Sequence, residues 1–314
     1  MDKLQNIFIT MKSNSGTSLS PITIDNYVRK LARVYYLITG KEYDGGWKIF
    51  LEPEKVMKKL HDSGLKSLKD YISPIVRLLK HYDVDEDIIK AYNEDMKTLK
   101  GKEDHVRKEN KATEKEKENA MTLDEINKKL DSYDASDNKK MLYKLITALY
   151  FQNQLIARNN YWNMKVASNN KKNKDLNANF NYLLVEGTTP KSIVLLNYKT
   201  AGTYGLQKFP ITNSKLKTTI KEYLEAYNKK PGDFLITSST GHEYKASSMA
   251  DLVAKATKEV LGKPMNIDLI RKIHITTFYK EGLHSENDIE AFAKRLLHNK
   301  DKSVEYKKVD LYED

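Results

Sequence analysis

The stretch NYLLVEGTTPKSIVLLNYKTAGTYGLQKFPIT, residues 181–212, decides the fold class. Three runs within it, NYLLVE, SIVLLNYK and LQKFPIT, are rich in β-branched and aromatic residues and are separated by Gly, Thr and Pro. Each run reads as a strand, and the three together as a small meander. Upstream, MLYKLITALYFQNQLIARNNYWNM (141–164) carries helical spacing. Downstream, the pattern is helical again from Leu216 through Asp251–Leu261 and Leu269–Glu281, with Gly262, Pro264 and Gly282 as punctuation. A few strands embedded in many helices predict a mainly α protein with one small β-sheet.

Nearer the N-terminus, Ile24, Tyr27, Val28, Leu31, Tyr35 and Ile38 recur at helical spacing, with Thr23 placed to cap the helix and Gly40 to stop it. A second periodic run, Leu68, Tyr71, Ile72, Ile75, Val76 and Leu79, contains Pro74, which predicts a kink or two shorter helices. Residues 101–119, GKEDHVRKENKATEKEKEN, offer almost no apolar side chains to a core and read as a charged linker. Thr122-x-x-Glu125 then reads as a capping box that opens a new helix. With 314 residues the chain is long enough for two cores. The expected organisation is a helical domain over 1–100, a linker over 101–119 and a mixed α/β domain over 120–314.

Lys and Arg number 54 against 43 Asp and Glu, giving a net charge of +11 and a pI near 9.2, so a polyanion such as nucleic acid is the expected partner. There is no cysteine, which excludes disulfides, thiolate zinc sites and cysteine catalysis. No P-loop, HExxH or CxxC occurs and the seven histidines are scattered, so no metal or other cofactor is expected. A two-metal nuclease assembled from scattered acids is the alternative. No apolar run approaches the ~20 residues of a membrane span, and MDKLQNIFITMKSNSG lacks a long apolar signal core. An intracellular protein without membrane association is expected.

Three segments of the second half of the chain hold a lysine, an arginine, a histidine and a tyrosine of interest. Lys199 lies in NYKTAGTYGLQKFPI, Arg271 in NIDLIRKIHITTFYKEG, and His298 and Tyr306 in RLLHNKDKSVEY. In sequence, these segments resemble the lysine hairpin, the second arginine box and the His-to-Tyr box of the tyrosine recombinases, or phage-type integrases. The similarity spans roughly residues 140–310. It implies a helical core-binding domain followed by a mixed α/β catalytic domain. It also implies Tyr306 as nucleophile, Arg271 as second catalytic arginine, Lys199 as general acid and His298 as a hydrogen-bonding partner of the phosphate. Tyr306 is one of 20 tyrosines, and each of the four alone is ordinary; the joint order carries the resemblance. A phenol with an unperturbed pKa near ~10 needs cations to stabilise its developing charge, and a guanidinium offers two parallel hydrogen bonds to phosphate oxygens. The implied product, a 3′-phosphotyrosyl link, conserves the energy of the phosphodiester.

The sequence departs from the family at the first arginine box. In LIARNNYWNM the best alignment puts Ala157 at the arginine position, Asn160 at the acidic one, and Tyr161 and Met164 at the apolar ones. Arg158 is adjacent, but on a helix one residue turns a side chain by about 100°, so Arg158 is expected to contact DNA elsewhere and the site to be weakened. Asp268 stands three residues before Arg271, where the family has histidine or lysine, and reads as a helix N-terminal acid. His274 reads as a packing or DNA-facing residue. Eight residues, KKVDLYED, follow Tyr306, where relatives continue into a helix that docks on a neighbouring protomer. Tyr312 is the fallback nucleophile.

For DNA contact, Arg29, Lys30 and Arg33 lie off the apolar stripe of the first long helix, and Lys66 and Lys69 open the later one. The expected partners are double-stranded DNA and further copies of the chain on it, as a dimer or tetramer. The expected activity is cutting and rejoining of DNA by an integrase. A type IB topoisomerase and a non-catalytic DNA-binding protein of the same fold are the alternatives. The Lys-, Asn-, Ile- and Tyr-rich composition fits an AT-rich genome, such as that of a virus or mobile element.

Overall fold

A computed structural model describes residues 2–11, 18–238, 241–299 and 306–312. The chain divides into two compact units, 1–109 and 110–314. The division falls inside the stretch expected as a linker, and much of that stretch is helical.

The first unit is built of helices: α1 (Asp2–Thr10), α2 (Pro21–Thr39), α3 (Pro53–Asp62), α4 (Lys69–His81) and α5 (Glu86–Lys108), with a 3₁₀ turn over Trp47–Leu51. In α2, the cap is Ser20 and not Thr23: the Ser20 side chain accepts from the Thr23 N–H, and Pro21 takes the first helical position. Gly40 ends the helix at φ 71, donating its N–H to the Tyr36 carbonyl, as its glycine predicts. Helix α4 runs through Pro74 as one element, so two shorter helices do not form. Leu31, Leu60, Ile72, Ile75 and Leu78 are fully buried in this unit's core. Each contributes roughly 1.5–3 kcal/mol on burial.

The second unit opens with α6 (Glu114–Asn119), α7 (Leu123–Ser132) and α8 (Asn138–Phe151). The capping box read from Thr122 and Glu125 is present, and Thr113 and Glu116 form another that starts α6. Residues Leu145 to Phe151 of α8 are all buried, so α8 is a core helix with no solvent face at its C-terminal end.

The sheet follows: β1 (Met164–Ser168), β2 (Asn181–Glu186), β3 (Thr189–Leu195), the short α9 (Ala201–Tyr204) and β4 (Gln207–Pro210). β2, β3 and β4 are the meander expected from the sequence, antiparallel throughout, with Gly187 at φ 60 in the tight turn between β2 and β3. β1 adds a parallel edge strand beside β2. Helices α10 (Ser214–Ala226), α11 (Ala246–Leu261), α12 (Ile267–Lys280) and α13 (Glu286–Arg295) complete the unit, which is mainly α with a small mixed sheet. Among the described residues, no helix is long and apolar enough to cross a membrane.

Candidate active site

Arg271 is the centre of the site. Asn266 caps α12 by accepting the Leu269 N–H, and Leu269, Ile270 and Ile273 go into the core, which carries Arg271 inward with them. It is 2% exposed. Its Nη1 donates to the Ile156 carbonyl at 2.6 Å and its Nη2 to the Leu296 carbonyl at 3.1 Å, so two loops are tied to one guanidinium. Burial, and secondly the positive charge of Arg158, lower its pKa to about 10. Asp268 does not neutralise it by contact: that carboxylate pairs with Lys272 at 2.7 Å, and Lys272 also binds Glu116. Asp268 is a first-turn acid, as its sequence position predicts.

The segment before β1 differs from expectation. The helical pattern of 141–164 stops in space at Phe151, and residues 152–163 form bends and turns before β1 begins at Met164. Ala157 is fully buried in the apolar core. The residue that reaches the site is Arg158. The backbone there is not helical, so the rotation of about 100° per residue does not apply. The Arg158 N–H donates to Asn160 Oδ1 at 2.9 Å and its carbonyl accepts from the Tyr150 hydroxyl at 2.8 Å, which fixes the residue on both sides. Its Nη2 then reaches His298 Nε2.

His298 is aimed by the end of α13. Leu297 adopts φ 54, and the N–H groups of Leu297 and His298 bond back to the Lys294 and Ala293 carbonyls, each at 3.1 Å. This is a Schellman motif with leucine where glycine is usual. It frees the Leu296 carbonyl for Arg271 and turns the imidazole toward both arginines. Arg271 Nη2 lies 2.9 Å from His298 Nε2. With two guanidiniums as donors, Nε2 is the acceptor nitrogen of the ring in this arrangement.

Tyr306 is half-buried, packed with Ile156, Ile275, Phe292 and Leu296, and its ring centroid is 5.5 Å from that of His298. The intervening 300–305 lie outside the described residues. Beyond Tyr306 the chain binds its own unit. Leu311 is buried in the core, Asp310 accepts the Ala112 N–H at 2.6 Å and pairs with Lys117 at 3.0 Å, and Val309 donates to the Asn110 carbonyl. Tyr312, the fallback nucleophile, is committed here as a packing residue, its hydroxyl 3.2 Å from that of Thr277.

Lys199 is exposed in the turn between β3 and α9. No contact joins its side chain to the arginines. The turn itself is tethered to them, because Thr200 Oγ1 donates to the Leu297 carbonyl at 3.3 Å, next to His298. A cleft of about 490 Å³, lined by Tyr204, Gln207, Lys294, Leu297 and His298 among others, opens beside the cluster.

The structure thus brings Arg158, Arg271, His298 and Tyr306 together, holds Lys199 on an adjoining turn, and leaves Ala157 in the core. His274 is a packing residue: it is buried against Phe151, its Nε2 donates to the Tyr150 carbonyl at 2.9 Å, and burial lowers its pKa to about 4. In the first unit Arg29, Arg33 and Lys66 are exposed, while Lys30 pairs with Asp70 at 3.4 Å and Lys69 is half-buried. Sequence reasoning missed the supports Tyr150 and Thr200, for which no motif gives a signal, and marked Asn160 only as standing at the acidic position of the first arginine box.

Chemically, two adjacent guanidiniums with no carboxylate in hydrogen-bond contact among the described residues, one of them buried, form a receptor for an anion with several oxygens. No family model and no curated protein matches the sequence. Among solved structures, the chain is similar to the crystal structure of XerA recombinase, at 14% sequence identity and a TM-score of 0.40, with 98% of this chain and 94% of that chain covered.

Proposed function

We propose that this chain is a DNA strand transferase of the tyrosine recombinase type, in which Tyr306 attacks a backbone phosphate. The observation that carries the reading is the convergence of Arg158 and Arg271 on His298 beside Tyr306. In the step proposed, the Tyr306 oxygen bonds to phosphorus and the P–O5′ bond breaks. Lys199 protonates the leaving 5′ oxygen, and the phenolic proton passes to water. Rejoining is the reverse, with a 5′ hydroxyl displacing the tyrosine, so no external energy source is consumed.

Arg158 and Arg271 would each give parallel N–H bonds to the non-bridging oxygens, whose charge grows as the fifth bond forms. A phosphate would replace the imidazole as their acceptor, leaving His298 to take up a proton and donate to the same phosphate. Arg158 therefore serves as the first arginine, and Ala157 is no sign of a disabled enzyme. The rival reading, a DNA-binding protein that has lost cutting, had Ala157 as its motive. Arg29, Arg33, Lys66 and Lys69 would contact phosphates without reading sequence.

The test uses a pool of nicked duplexes with randomised cores, incubated with the protein and denatured in detergent so that covalent adducts can be recovered and sequenced. The unaltered chain is expected to form an adduct that vanishes in Tyr306→Phe. An adduct that survives Tyr306→Phe, or none from the unaltered chain, overturns the proposal. Relaxation of a supercoiled circle lacking the recovered sequence would reassign the activity to a topoisomerase.

A further inference from the structure

We propose that Asn181 is a positioning residue that sets the separation between the arginine cluster and Lys199. The inference rests on the phosphoryl-transfer reading of Tyr306.

Asn181, the first residue of β2, is completely buried. Its Oδ1 accepts the N–H groups of Leu196 at 3.0 Å and Asn197 at 2.9 Å. Its Nδ2 faces the carbonyls of Asn160 and Asn197, both at 2.9 Å, and Asn163 Oδ1 at 3.1 Å. The amide orientation is therefore fixed: backbone donors surround the oxygen and acceptors surround the nitrogen. One side chain satisfies backbone groups from two segments that are remote in sequence.

Those two segments are the ones the chemistry needs. On one side, the carbonyl held is that of Asn160, whose own side chain grips the Arg158 N–H. On the other, the N–H groups held belong to the exit of β3, two residues before Lys199. The far part of that turn is pinned again, by the Tyr198 hydroxyl on the Gly205 carbonyl at 2.6 Å and by Thr200 on the Leu297 carbonyl. Lys199 thus projects from a turn clamped on both sides, one clamp leading to Arg158 and the other to His298. A buried, fully satisfied polar hub of this kind defines a single arrangement of what it joins. Without Asn181 the lysine turn and the Arg158 loop lose their common reference.

Discrimination comes from the leaving group. A duplex in which sulfur replaces the bridging 5′ oxygen expels a thiolate that needs no proton, so it bypasses the general acid alone. The full-length protein, Lys199→Ala, Asn181→Ala and Asn181→Asp are compared for adduct formation on oxygen and sulfur versions of the duplex recovered from the randomised pool. Each variant is first checked by thermal melting and duplex affinity. If Asn181→Ala melts below the assay temperature, Asn181→Ser takes its place.

Lys199→Ala is expected to fall by about 10²–10⁴-fold on oxygen and to recover on sulfur. Asn181→Ala, which releases both segments, is expected to fall by roughly 10²-fold or more on oxygen and to recover in part on sulfur. Asn181→Asp keeps the acceptor for the Leu196 and Asn197 N–H groups but loses the donor to the carbonyls of both Asn160 and Asn197, so it too is expected to fall on oxygen and to recover in part on sulfur. Equal defects of Asn181→Ala on oxygen and sulfur, or no defect in a folded variant, overturn the inference while the reading of Tyr306 stands. Absence of any adduct from the unaltered chain removes that reading and the role of Asn181 with it.

Discussion

Arg158 and Arg271 donate to the same atom, Nε2 of His298. One comes from an irregular loop and the other from the middle of α12, and only the folded chain brings them together. Two like charges so placed gain from an anion and lose from each other without one. Replacing Arg158 with alanine is therefore expected to lower covalent adduct formation by roughly 10²–10³-fold, as for removal of other preorganised charge donors. Arg158→Lys should be nearly as poor, because an ammonium cannot form the paired bonds of a guanidinium. The measurement is the single-turnover rate on the recovered duplex.

Ala157→Arg is expected to harm the protein and restore nothing. Position 157 is completely buried among apolar residues, so an arginine there brings an unpaired charge into the core. A loss of about 3–5 kcal/mol is expected from urea unfolding, with no gain in adduct. An increase in adduct formation would mean that the loop re-registers to bring residue 157 into the site.

Acid should weaken the second unit well above the carboxylate range, through His274. Burial lowers this imidazole from 6.5 to about 4, with Arg295 and Arg271 acting in the same direction. Between those values the unfolded chain binds a proton that the native state refuses, so stability falls as pH drops from about 6.5 toward 4. The full effect is about 3 kcal/mol. His274→Gln, which can still donate to the Tyr150 carbonyl, should flatten that part of the profile in urea midpoints measured against pH.

Leu311 anchors the segment that bears Tyr306. Leu311→Ala removes a buried side chain and is expected to cost about 2–5 kcal/mol at that contact. Because the tail is a peripheral segment, the loss should appear as local opening. Trypsin cleavage after Lys307 and Lys308 should quicken, and adduct formation should fall while duplex affinity is kept. Unchanged cleavage would show that the contacts of Val309, Asp310 and Tyr312 hold the tail without Leu311.

In the first unit, exposed and paired cations should differ. Arg33 is exposed over the Tyr36 ring, whereas Lys30 is held by Asp70 and Tyr71. Arg33→Ala is expected to weaken duplex binding across sequences and to reduce the salt slope by about 1. Lys30→Ala should do less, since its charge is already partly compensated. Affinities measured over a series of salt concentrations separate the two.

The three strands of 181–212 were legible because alternation and turn residues punctuate them. β1 was not, since MKVAS is five residues long and follows YWN without a break signal. The end of α8 was hidden for a related reason: Leu155 and Ile156 continue the apolar pattern and are buried, yet they are buried in a loop. That concealed turn decided the misreading of Arg158, because side-chain direction follows backbone geometry and not sequence spacing. The polar run 101–119 reads by composition as linker, and its helices persist with little core; Thr113-x-x-Glu116 was the available sign of α6. Tyr306, Arg271, His298 and Lys199 stand out in the sequence only by their order along the chain. Asn181 was invisible, since a hub is defined only by what surrounds it.

The hydrogen bond from Val309 to Asn110 joins the first residue of the second unit to the segment that carries the tyrosine. Tension arriving along the chain at residue 110 is delivered, through one peptide contact and the neighbouring Ala112 and Asp310 pair, to a point three residues past Tyr306. Tyr306 is in this sense mechanically wired to the first residues of its own unit, so that a pull on the chain at residue 110 is transmitted to the segment that bears it.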